Sequence, residues 1–334
     1  MNKRTKISVA VITYNQQETI GQTLDSILAQ KGDFDLELVI GEDCSQDDTY
    51  AICAEYAERY PDVVKLLPNT KNLGIMANTA RVFEAATGDY ISIIAGDDYY
   101  CDNHALEKQL QYQHSHPEVG VMAANGYSYY VKRDSKVPGL NPVLEGEQEK
   151  VKDYFFSPTH TEGAYLAPVG MMFRAELIRK YIDFDEMLRM GIPVEDFPMQ
   201  AILSQHTKFA CLPDLLVTYR VYKESASFIS YNHPRYVEYY RGLMETRRYL
   251  NELFPEDSIP EAVLQERMFI KEFLYDVYHM KYKDAKRLIA SISSSVQDSR
   301  SAQNARRYTC NWLIFTVYHY YKRIITYKSI KKQV

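Results

Sequence analysis

Residues 90–98 read YISIIAGDD, an apolar run that ends in two aspartates. Tyr90–Ala95 is almost wholly apolar, which is typical of a strand buried on both faces of a parallel sheet. Ligands of such sheets bind at the carboxyl ends of the strands. Asp97 and Asp98 therefore lie where the chemistry of the protein is expected.

The segments around this strand alternate between strand and helix patterns through the first 125 residues. The other predicted strands are Ile7–Thr13, Leu36–Gly41, Val63–Leu67 and Val119–Ala124, and the predicted helices are Glu18–Gln30, Ser45–Tyr60, Asn78–Ala86 and Ala105–His116. Strands that alternate with helices form right-handed βαβ units. The predicted fold class is therefore α/β, with a mostly parallel, Rossmann-like sheet covered by helices on both faces.

The pattern changes after about residue 125. Residues 137–149 are polar with Pro and Gly and predict a loop; beyond them the predicted strands are Gly170–Phe173, Lys208–Leu212 and Leu216–Val221, and the predicted helices are Arg174–Tyr181 and Glu195–Ser204. Past about residue 230 only helices are predicted, over Pro234–Phe254, Glu261–Met280, Lys283–Ile289 and Ala302–Ile325. We expect an α/β domain over 1–228 and a C-terminal helical region over 229–334.

The composition excludes several classes of protein. The 334 residues are 46% hydrophobic and 25% charged, as in globular proteins, and a net charge of −5 does not suggest a nucleic-acid binder. Five scattered cysteines predict reduced thiols and a cytoplasmic protein. The apolar run near the start of the sequence is too short for a signal peptide, and no apolar stretch is long enough for a membrane-spanning helix. The 29 tyrosines fit either sugar-binding and interfacial surfaces or ordinary packing.

Acidic residues follow two of the predicted strands. Asp43 stands after the second strand, and Asp97 and Asp98 stand after the fourth. Carboxylates at one sheet edge repel each other unless a cation compensates, and Mg²⁺ or Mn²⁺ is commonly held by one or two carboxylates plus substrate phosphates. The alternative is that these acids are solvated loop residues or helix caps.

Four segments together resemble the family 2 glycosyltransferases, which have the GT-A fold. They are SVAVITYNQQETIGQTLDSILAQ, ELVIGEDCSQDDT, NTKNLGIMANTARVFEAATGDYISIIAGDD and PVEDFPM, in the order of that family. The resemblance covers about residues 6–225. It implies a nucleotide-binding half over about 1–125 and an acceptor half over about 126–228 of the catalytic domain.

The resemblance implies a role for individual residues. Asp43 matches the acid that hydrogen-bonds the base, usually uracil, and Asp97 the acid that contacts the ribose. Asp98 matches the metal ligand. Asp196, after Glu195, matches the catalytic base; the alternative is an acid that only favours the helix N-terminus. The implied donor-binding residues are Thr13, Tyr14, Asn15, Asp43, Asn72, Gly74, Asn78, Asp97 and Arg220.

The sequence departs from the family pattern at two positions. Ala95 stands where many members have a further aspartate, and Tyr222 stands where many have a histidine. Metal binding would then depend on Asp98, diphosphate oxygens and water. Arg220, with Ser225 and Ser227, could contact the diphosphate instead of a histidine, or Arg220 could form only a surface salt bridge.

The implied activity is inverting transfer of a sugar from a nucleotide donor, UDP-linked, to a hydroxyl acceptor, in bacterial polysaccharide or glycoconjugate synthesis. The alternative is a non-catalytic nucleotide-sugar-binding or scaffold protein with the same fold. The residues after the first strand, Thr-Tyr-Asn-Gln-Gln, lack the glycine-rich loop of a nucleotidyltransferase or dinucleotide enzyme.

The C-terminal segment 300–334 has basic but no acidic residues. Its basic residues are Arg300, Arg306, Arg307, Lys322, Arg323, Lys328, Lys331 and Lys332. A basic helix with an aromatic-rich apolar face suits the surface of an anionic membrane, which would fit a lipid-linked acceptor and a peripheral position at the inner face of the cytoplasmic membrane. The alternatives are a helix docked on the catalytic domain or a homodimer interface.

Overall fold

A computed structural model of the chain describes residues 4–157, 165–222 and 233–333, with side chains as far as residue 325. The described residues fall into two compact units. The first is drawn from Met1–Arg189 and Val194–Val221, and the second from Met190–Pro193 and Tyr222–Val334. The predicted domain boundary after residue 228 falls outside the described residues.

The first unit alternates strands and helices, as the sequence predicts. Its strands are β1 Lys6–Thr13, β2 Asp35–Glu42, β3 Val64–Pro68, β4 Tyr90–Ala95, β5 Tyr99–Tyr100, β6 Val119–Ala123, β7 Gly126–Tyr130, β8 Ser135–Pro138, β9 Leu144–Glu147, β10 Met171–Arg174, β11 Lys208–Cys211 and β12 Val217–Val221. Its helices are α1 Ile20–Leu28, α2 Thr49–Arg59, α3 Ile75–Ala85, α4 Ala105–Ser115, α5 Glu149–Phe156, α6 Ala175–Tyr181, α7 Phe184–Arg189 and α8 Asp196–Ser204.

The described strands form two sheets. The main sheet has the order β3-β2-β1-β4-β10-β6-β11-β9, in which β1–β4 are parallel and β10 is antiparallel to both of its neighbours. The second sheet has the order β5-β12-β7-β8. The predicted α/β fold with a mostly parallel sheet is confirmed.

Apolar spacing explains how the main sheet is covered. Ile20, Leu24 and Ile27 recur at helical spacing on α1 and are fully buried against a core that includes Val9 and Ile94. Each such side chain contributes about 1.5–3 kcal/mol when it is removed from water. Thr23 of α1 also donates to the main-chain carbonyls of Gly96 and Asp98, so α1 is fastened to the turn that follows β4.

One prediction for the first unit was wrong, because residues 137–149 are not simply a loop. β8 ends a hairpin with β7 at the edge of the second sheet, and β9 is the edge strand of the main sheet. Short edge strands are covered on fewer sides than central ones, so their sequences need no apolar run. The same holds for the two-residue β5, which no pattern marked.

The second unit is helical among its described residues. Its helices are α9 Tyr236–Leu253, α10 Glu261–Tyr278, α11 Tyr282–Ala290, α12 Arg300–Tyr308 and α13 Trp312–Gln333. Phe269, Phe273 and Phe315 belong to one core cluster of this unit. The predicted single helix over 302–325 is two helices, since the Asn311 side chain accepts the N–H of Ile314 over 2.9 Å and caps α13.

Candidate functional site

Two left-handed turns, at the carboxyl ends of β1 and β2, are joined by hydrogen bonds. Asn15 has φ 53° and Cys44 has φ 61°, a conformation that asparagine tolerates better than most residues. The N–H of Asn15 donates to the Ser45 hydroxyl over 2.9 Å, and the Asn15 side-chain oxygen accepts the Gln46 N–H over 2.8 Å. The Asn15 side chain therefore ties the two turns together, and its oxygen is already engaged.

Thr13 and Tyr14 occupy different positions in the first turn. Thr13 is 3% exposed, and its hydroxyl donates to the Gln16 side chain over 2.8 Å. A Cβ on Gly96 would lie 2.6 Å from the Thr13 oxygen, so Thr13 packs directly against the end of β4. Thr13, predicted to contact the donor, therefore lies in a supporting position behind the turn. Tyr14 is 43% exposed and presents the ring on which a base could stack.

The Asp43 carboxylate orders the loop before α3. Its Oδ1 accepts the Leu73 N–H over 2.8 Å and the Asn69 side-chain amide over 2.7 Å, and its Oδ2 accepts the Gly74 N–H over 2.9 Å. A carboxylate has about four lone-pair positions. Oδ2 therefore keeps one acceptor position for a ligand, although Asp43 itself is almost fully buried.

Asn72 and Gly74 lie in the loop that Asp43 organises. The Asn72 side chain donates to the Asp43 carbonyl over 3.2 Å. Gly74 has φ 86° and ψ 164°, a region that glycine alone adopts readily. Among the described residues, no atom beyond Gly74 and its two chain neighbours lies within 4 Å of a Cβ built on Gly74, so its outer side faces open space. The glycine is required by its backbone conformation, and the open space leaves room for a close ligand.

Asn78, which the sequence predicts as a donor-binding residue, is turned into the protein. The side chain is 2% exposed and donates to the Gly41 carbonyl over 2.8 Å. Its oxygen accepts the Asn69 amide over 3.1 Å. Asn78 therefore fastens α3 to the end of β2 from inside the protein.

Asp97 and Asp98 follow β4 after one residue, Gly96, as predicted. Asp98 is 1% exposed, and its Oδ1 accepts the Arg220 backbone N–H over 2.8 Å. Burial raises the pKa of Asp98 well above its usual range, and the neighbouring Asp97 carboxyl raises it further. Burial also raises the pKa of Asp97. The arrangement disfavours two negative charges unless a cation lies beside them.

Arg220 is buried on β12, so the surface salt bridge that the sequence left open is excluded. Its guanidinium donates to the main-chain carbonyl of Asp97 and to the side-chain oxygen of Gln22. It also lies 4.8 Å from the ring centroid of Tyr99. Arg220 therefore connects the Asp97–Asp98 turn to α1 and to the second sheet.

The ligands available for a metal at this edge are the carboxylates of Asp97 and Asp98. In the described part of the chain, no three or more His, Cys, Asp or Glu side chains are grouped so that they could hold a metal ion. The pair therefore fits a cation that binds together with a phosphate group, not one held by the protein alone. Ser225 and Ser227, predicted to assist at the diphosphate, lie outside the described residues.

Asp196 begins α8, after Glu195. Its Oδ1 accepts the Phe197 N–H over 2.7 Å, and its Oδ2 accepts the Tyr165 hydroxyl. Burial raises the pKa of Asp196, while the hydrogen bond from Tyr165 lowers it. A second side chain thus holds the Asp196 carboxylate in addition to the backbone of α8, and a carboxylate held in this way is able to accept a proton from a ligand.

Glu195 is the more deeply buried of the two acids. Burial, together with the adjacent Asp196 carboxylate, raises its pKa to about 8. Glu195 and Asp196 line a cavity of about 10 Å³ together with Ile93, Met171 and other residues of the main sheet and α8. Glu195 therefore lies against the core, and the partly exposed Asp196 is the better placed for chemistry.

The sequence did not indicate Tyr165. It lies 31 positions before Asp196, and no motif or periodicity marked it. Burial raises its pKa, and Asp196 raises it further, so the phenol stays protonated and donates to Asp196. A tyrosine close to a predicted base becomes visible only when the chain is folded.

Comparison with known proteins identifies the family. The sequence profile described as "Glycosyl transferase family 2" matches residues 8–182, slightly more than half of the chain. An uncharacterized protein of Mycobacterium tuberculosis is 30% identical over 219 residues, which are 64% of this chain and 58% of that protein. The chain thus spans about 58% of the length of the first curated relatives that it matches.

Solved structures of low sequence identity share the fold. TarS of Staphylococcus aureus, in complex with UDP-GlcNAc, has a TM-score of 0.60 at 16% identity, covering 95% of this chain and 91% of TarS. The mannosyltransferase PcManGT of Pyrobaculum calidifontis, in complex with GDP-Man and Mn²⁺, has a TM-score of 0.51 at 15% identity, covering 95% and 88%. At these identities the likeness is one of fold.

Proposed function

The chain belongs to glycosyl transferase family 2, and on that premise we propose that it transfers a sugar from a UDP-linked donor to a hydroxyl group of a carbohydrate or lipid-linked acceptor. The observation that carries the proposal is the Asp97–Asp98 pair at the end of β4, with Asp98 buried against the Arg220 backbone. Both carboxyls have raised pKa values. A metal–diphosphate unit compensates such a pair.

The donor would lie along the ends of β1, β2 and β4. The exposed Tyr14 ring stacks on the base, and the remaining acceptor position on Asp43 Oδ2 receives the ring N–H of uracil. Asp97 contacts the ribose. Asn72 and Gly74 line the open side of the loop. Asn15 acts through its hold on the two turns.

Transfer would proceed with inversion at the anomeric carbon. The acceptor oxygen forms the new bond on one face while the bond to the diphosphate oxygen breaks on the other, and the hydroxyl proton passes to the Asp196 carboxylate. Mn²⁺ or Mg²⁺, held by Asp98 beside Asp97, would neutralise charge on the departing diphosphate. Tyr165 orients the carboxylate of Asp196, the catalytic base, through its hydrogen bond.

Two structures that share the fold support the choice of ligands. TarS was solved with UDP-GlcNAc, and PcManGT with GDP-Man and Mn²⁺. Because this chain shares their fold, we infer that it too uses a nucleotide-sugar donor and a divalent metal. Synthesis of a bacterial polysaccharide or glycoconjugate is the process that such a transfer would serve.

A donor screen tests this proposal. The purified chain is mixed with UDP- and GDP-linked sugars, with Mn²⁺ or with EDTA, and release of nucleoside diphosphate is measured. We expect release from a UDP-sugar, its loss in EDTA and its return when Mn²⁺ is restored. Nucleotide binding without turnover on any acceptor would favour the scaffold alternative, and absence of nucleotide binding would contradict both.

The outer face of α13 carries a row of exposed apolar side chains. Leu313, Val317, Tyr320 and Ile324 are each more than half exposed and recur at the spacing of one helix face. On another side of the helix Phe315 is buried in the core of the second unit. Within the described residues, no helix is long and apolar enough to cross a membrane.

We also propose that this row rests on the surface of an anionic membrane, near a lipid-linked acceptor. Charge complementarity supports the choice of partner, because residues 300–334 carry eight Lys and Arg residues and no acid. Anionic lipids attract such segments while the apolar side chains enter the headgroup region. Lys322 and Arg323, between Tyr320 and Ile324, fit this arrangement.

Vesicle sedimentation tests the membrane contact. We expect Val317→Asp to weaken binding to mixed phosphatidylcholine–phosphatidylglycerol vesicles by about tenfold or more, since burying a valine is worth about 1.5–3 kcal/mol. Gln303→Glu makes the same change in charge on the exposed side of α12, and we expect a smaller effect from it. The membrane contact is refuted if Val317→Asp sediments with the vesicles as the parent does. It is also refuted if the parent is a dimer in sedimentation velocity and Val317→Asp dissociates it.

A further inference from the structure

One face of the second sheet gathers basic and aromatic side chains. Arg220 on β12 is in register with Tyr129 on β7, and Tyr129 is in register with Lys136 on β8. Tyr127 precedes Tyr129 by two positions, so both point to the same face. Tyr99 on β5 is in register with Thr218, two positions before Arg220. Four strands therefore present these side chains together.

Lys136 lies among the tyrosines of this face. Its ammonium donates to the Tyr99 hydroxyl over 2.7 Å and lies 5.3, 5.8 and 5.7 Å from the ring centroids of Tyr99, Tyr127 and Tyr129. The side chain is exposed. The hydrogen bond with Tyr99 raises the pKa of Lys136, so the ammonium stays charged at physiological pH. The tyrosines hold the cation in place and leave it accessible.

These side chains border a cleft of about 430 Å³. The residues that line it are Gln22, Tyr99, Tyr129, Asp134, Lys136 and Arg220. The single acid accepts the Tyr129 hydroxyl over 2.7 Å, which leaves the two cations as the dominant charges. The volume is within the range of small-molecule sites. A cleft with two cations, two aromatic rings and an amide has the groups needed for an anion attached to a hydroxyl-rich ring.

Arg220 connects this cleft to the proposed catalytic edge. Its backbone N–H donates to the Asp98 carboxylate, while its guanidinium lines the cleft. Arg220 therefore lies between the cleft and Asp98, the residue to which the metal is assigned. The assigned donor contacts other than Arg220 are absent from its lining, so it is a separate region of the same unit.

We propose that this cleft binds a saccharide that carries a phosphate or carboxylate group, as part of the acceptor. Lys136 and Arg220 pair with the anionic group, the rings of Tyr99 and Tyr129 cover the apolar face of the sugar, and Gln22 and Asp134 receive its hydroxyl groups. The role as acceptor rests on the proposed glycosyl transfer. The binding of an anionic saccharide does not depend on it.

Calorimetric titration with glucose 6-phosphate, glucuronate, inorganic phosphate and glucose tests the site. We expect the two anionic sugars to bind more tightly than phosphate or glucose alone. Lys136→Gln should weaken their binding by about tenfold or more, which is the usual effect of losing a charge-assisted hydrogen bond. Lys132→Gln removes the same charge from an exposed turn nearby, outside the cleft, and should bind like the parent.

Three results would overturn the inference. In the first, the parent binds neither anionic sugar. In the second, Lys136→Gln and Lys132→Gln weaken the binding of these sugars equally. In the third, UDP competes with glucose 6-phosphate and displaces it. The last result would assign the cleft to the donor. A separate titration of the parent with UDP and Mn²⁺ tests the proposed function independently. Absence of nucleotide binding would contradict glycosyl transfer but would not contradict the binding of an anionic saccharide in the cleft. Lys136→Met, which keeps the apolar stem, serves as a second variant if Lys136→Gln folds poorly.

Discussion

Asp196→Asn is expected to lower the rate of sugar transfer by about 10²–10⁴-fold, the usual contribution of a general base. The amide keeps the size of the side chain and one of the two oxygens that accept the Tyr165 hydroxyl and the Phe197 N–H, but it cannot take the proton of the sugar acceptor. Nucleotide binding should be unchanged, because the donor groups lie at the ends of β1, β2 and β4. The measurement is kcat for transfer beside calorimetric binding of UDP and Mn²⁺.

Tyr165→Phe is the matched control for this variant. The hydrogen bond from Tyr165 lowers the pKa of Asp196, so its removal should raise that pKa. Asp196 acts as a base only when ionised, so activity is present above its pKa and falls below it. The acidic limb of the kcat/KM profile should therefore move to higher pH in Tyr165→Phe, with much of the rate retained at alkaline pH. Near-normal transfer by Asp196→Asn would show that Asp196 is not the base.

The central strands could be predicted from sequence because they are buried on both faces. Tyr90–Ala95 was predicted with its observed bounds, since a strand with neighbours on both sides and helices above and below needs apolar residues throughout. β5 and β8 are short and lie at the edges of the second sheet. Their residues meet a partner on fewer sides, so no period distinguished them from loops.

The site was predictable in position but only partly in the role of each residue. Asp98 was placed at a strand end by its apolar lead-in, and the structure places it there. Thr13 and Asn78 were predicted to contact the ligand, but both side chains are buried: Thr13 packs against Gly96 and Asn78 bonds to Gly41, contacts that span many residues of sequence and leave no local pattern. The Lys136 cleft was missed for the same reason, since its two cations lie on strands that are about 80 residues apart and no strand was predicted over β8.

Asp98→Asn is expected to abolish metal-dependent nucleotide binding and to lower transfer by about 10²–10³-fold, the scale of removing one group that stabilises charge in a transition state. An asparagine keeps an oxygen for the Arg220 N–H, so the turn after β4 should keep its shape. It removes the negative charge that would compensate the cation. The loss of binding is measured by thermal unfolding with UDP and Mn²⁺, because a ligand that binds the folded state raises Tm. We expect the two ligands to raise Tm in the parent and to raise it far less in the variant.

The same experiment separates loss of function from loss of fold. The raised pKa of Asp98 means that its ionised form opposes folding at neutral pH, with the effect growing as the pH rises past the ordinary range of an aspartate. Without ligands, Asp98→Asn should therefore unfold at a temperature at least as high as the parent. Asp62→Asn makes the same change on an exposed turn and should leave both temperatures unchanged. Since Asp98 has few protein ligands beside it, the parent should bind Mn²⁺ weakly until UDP is added, and tight binding of Mn²⁺ alone would contradict the assignment of the metal to this pair.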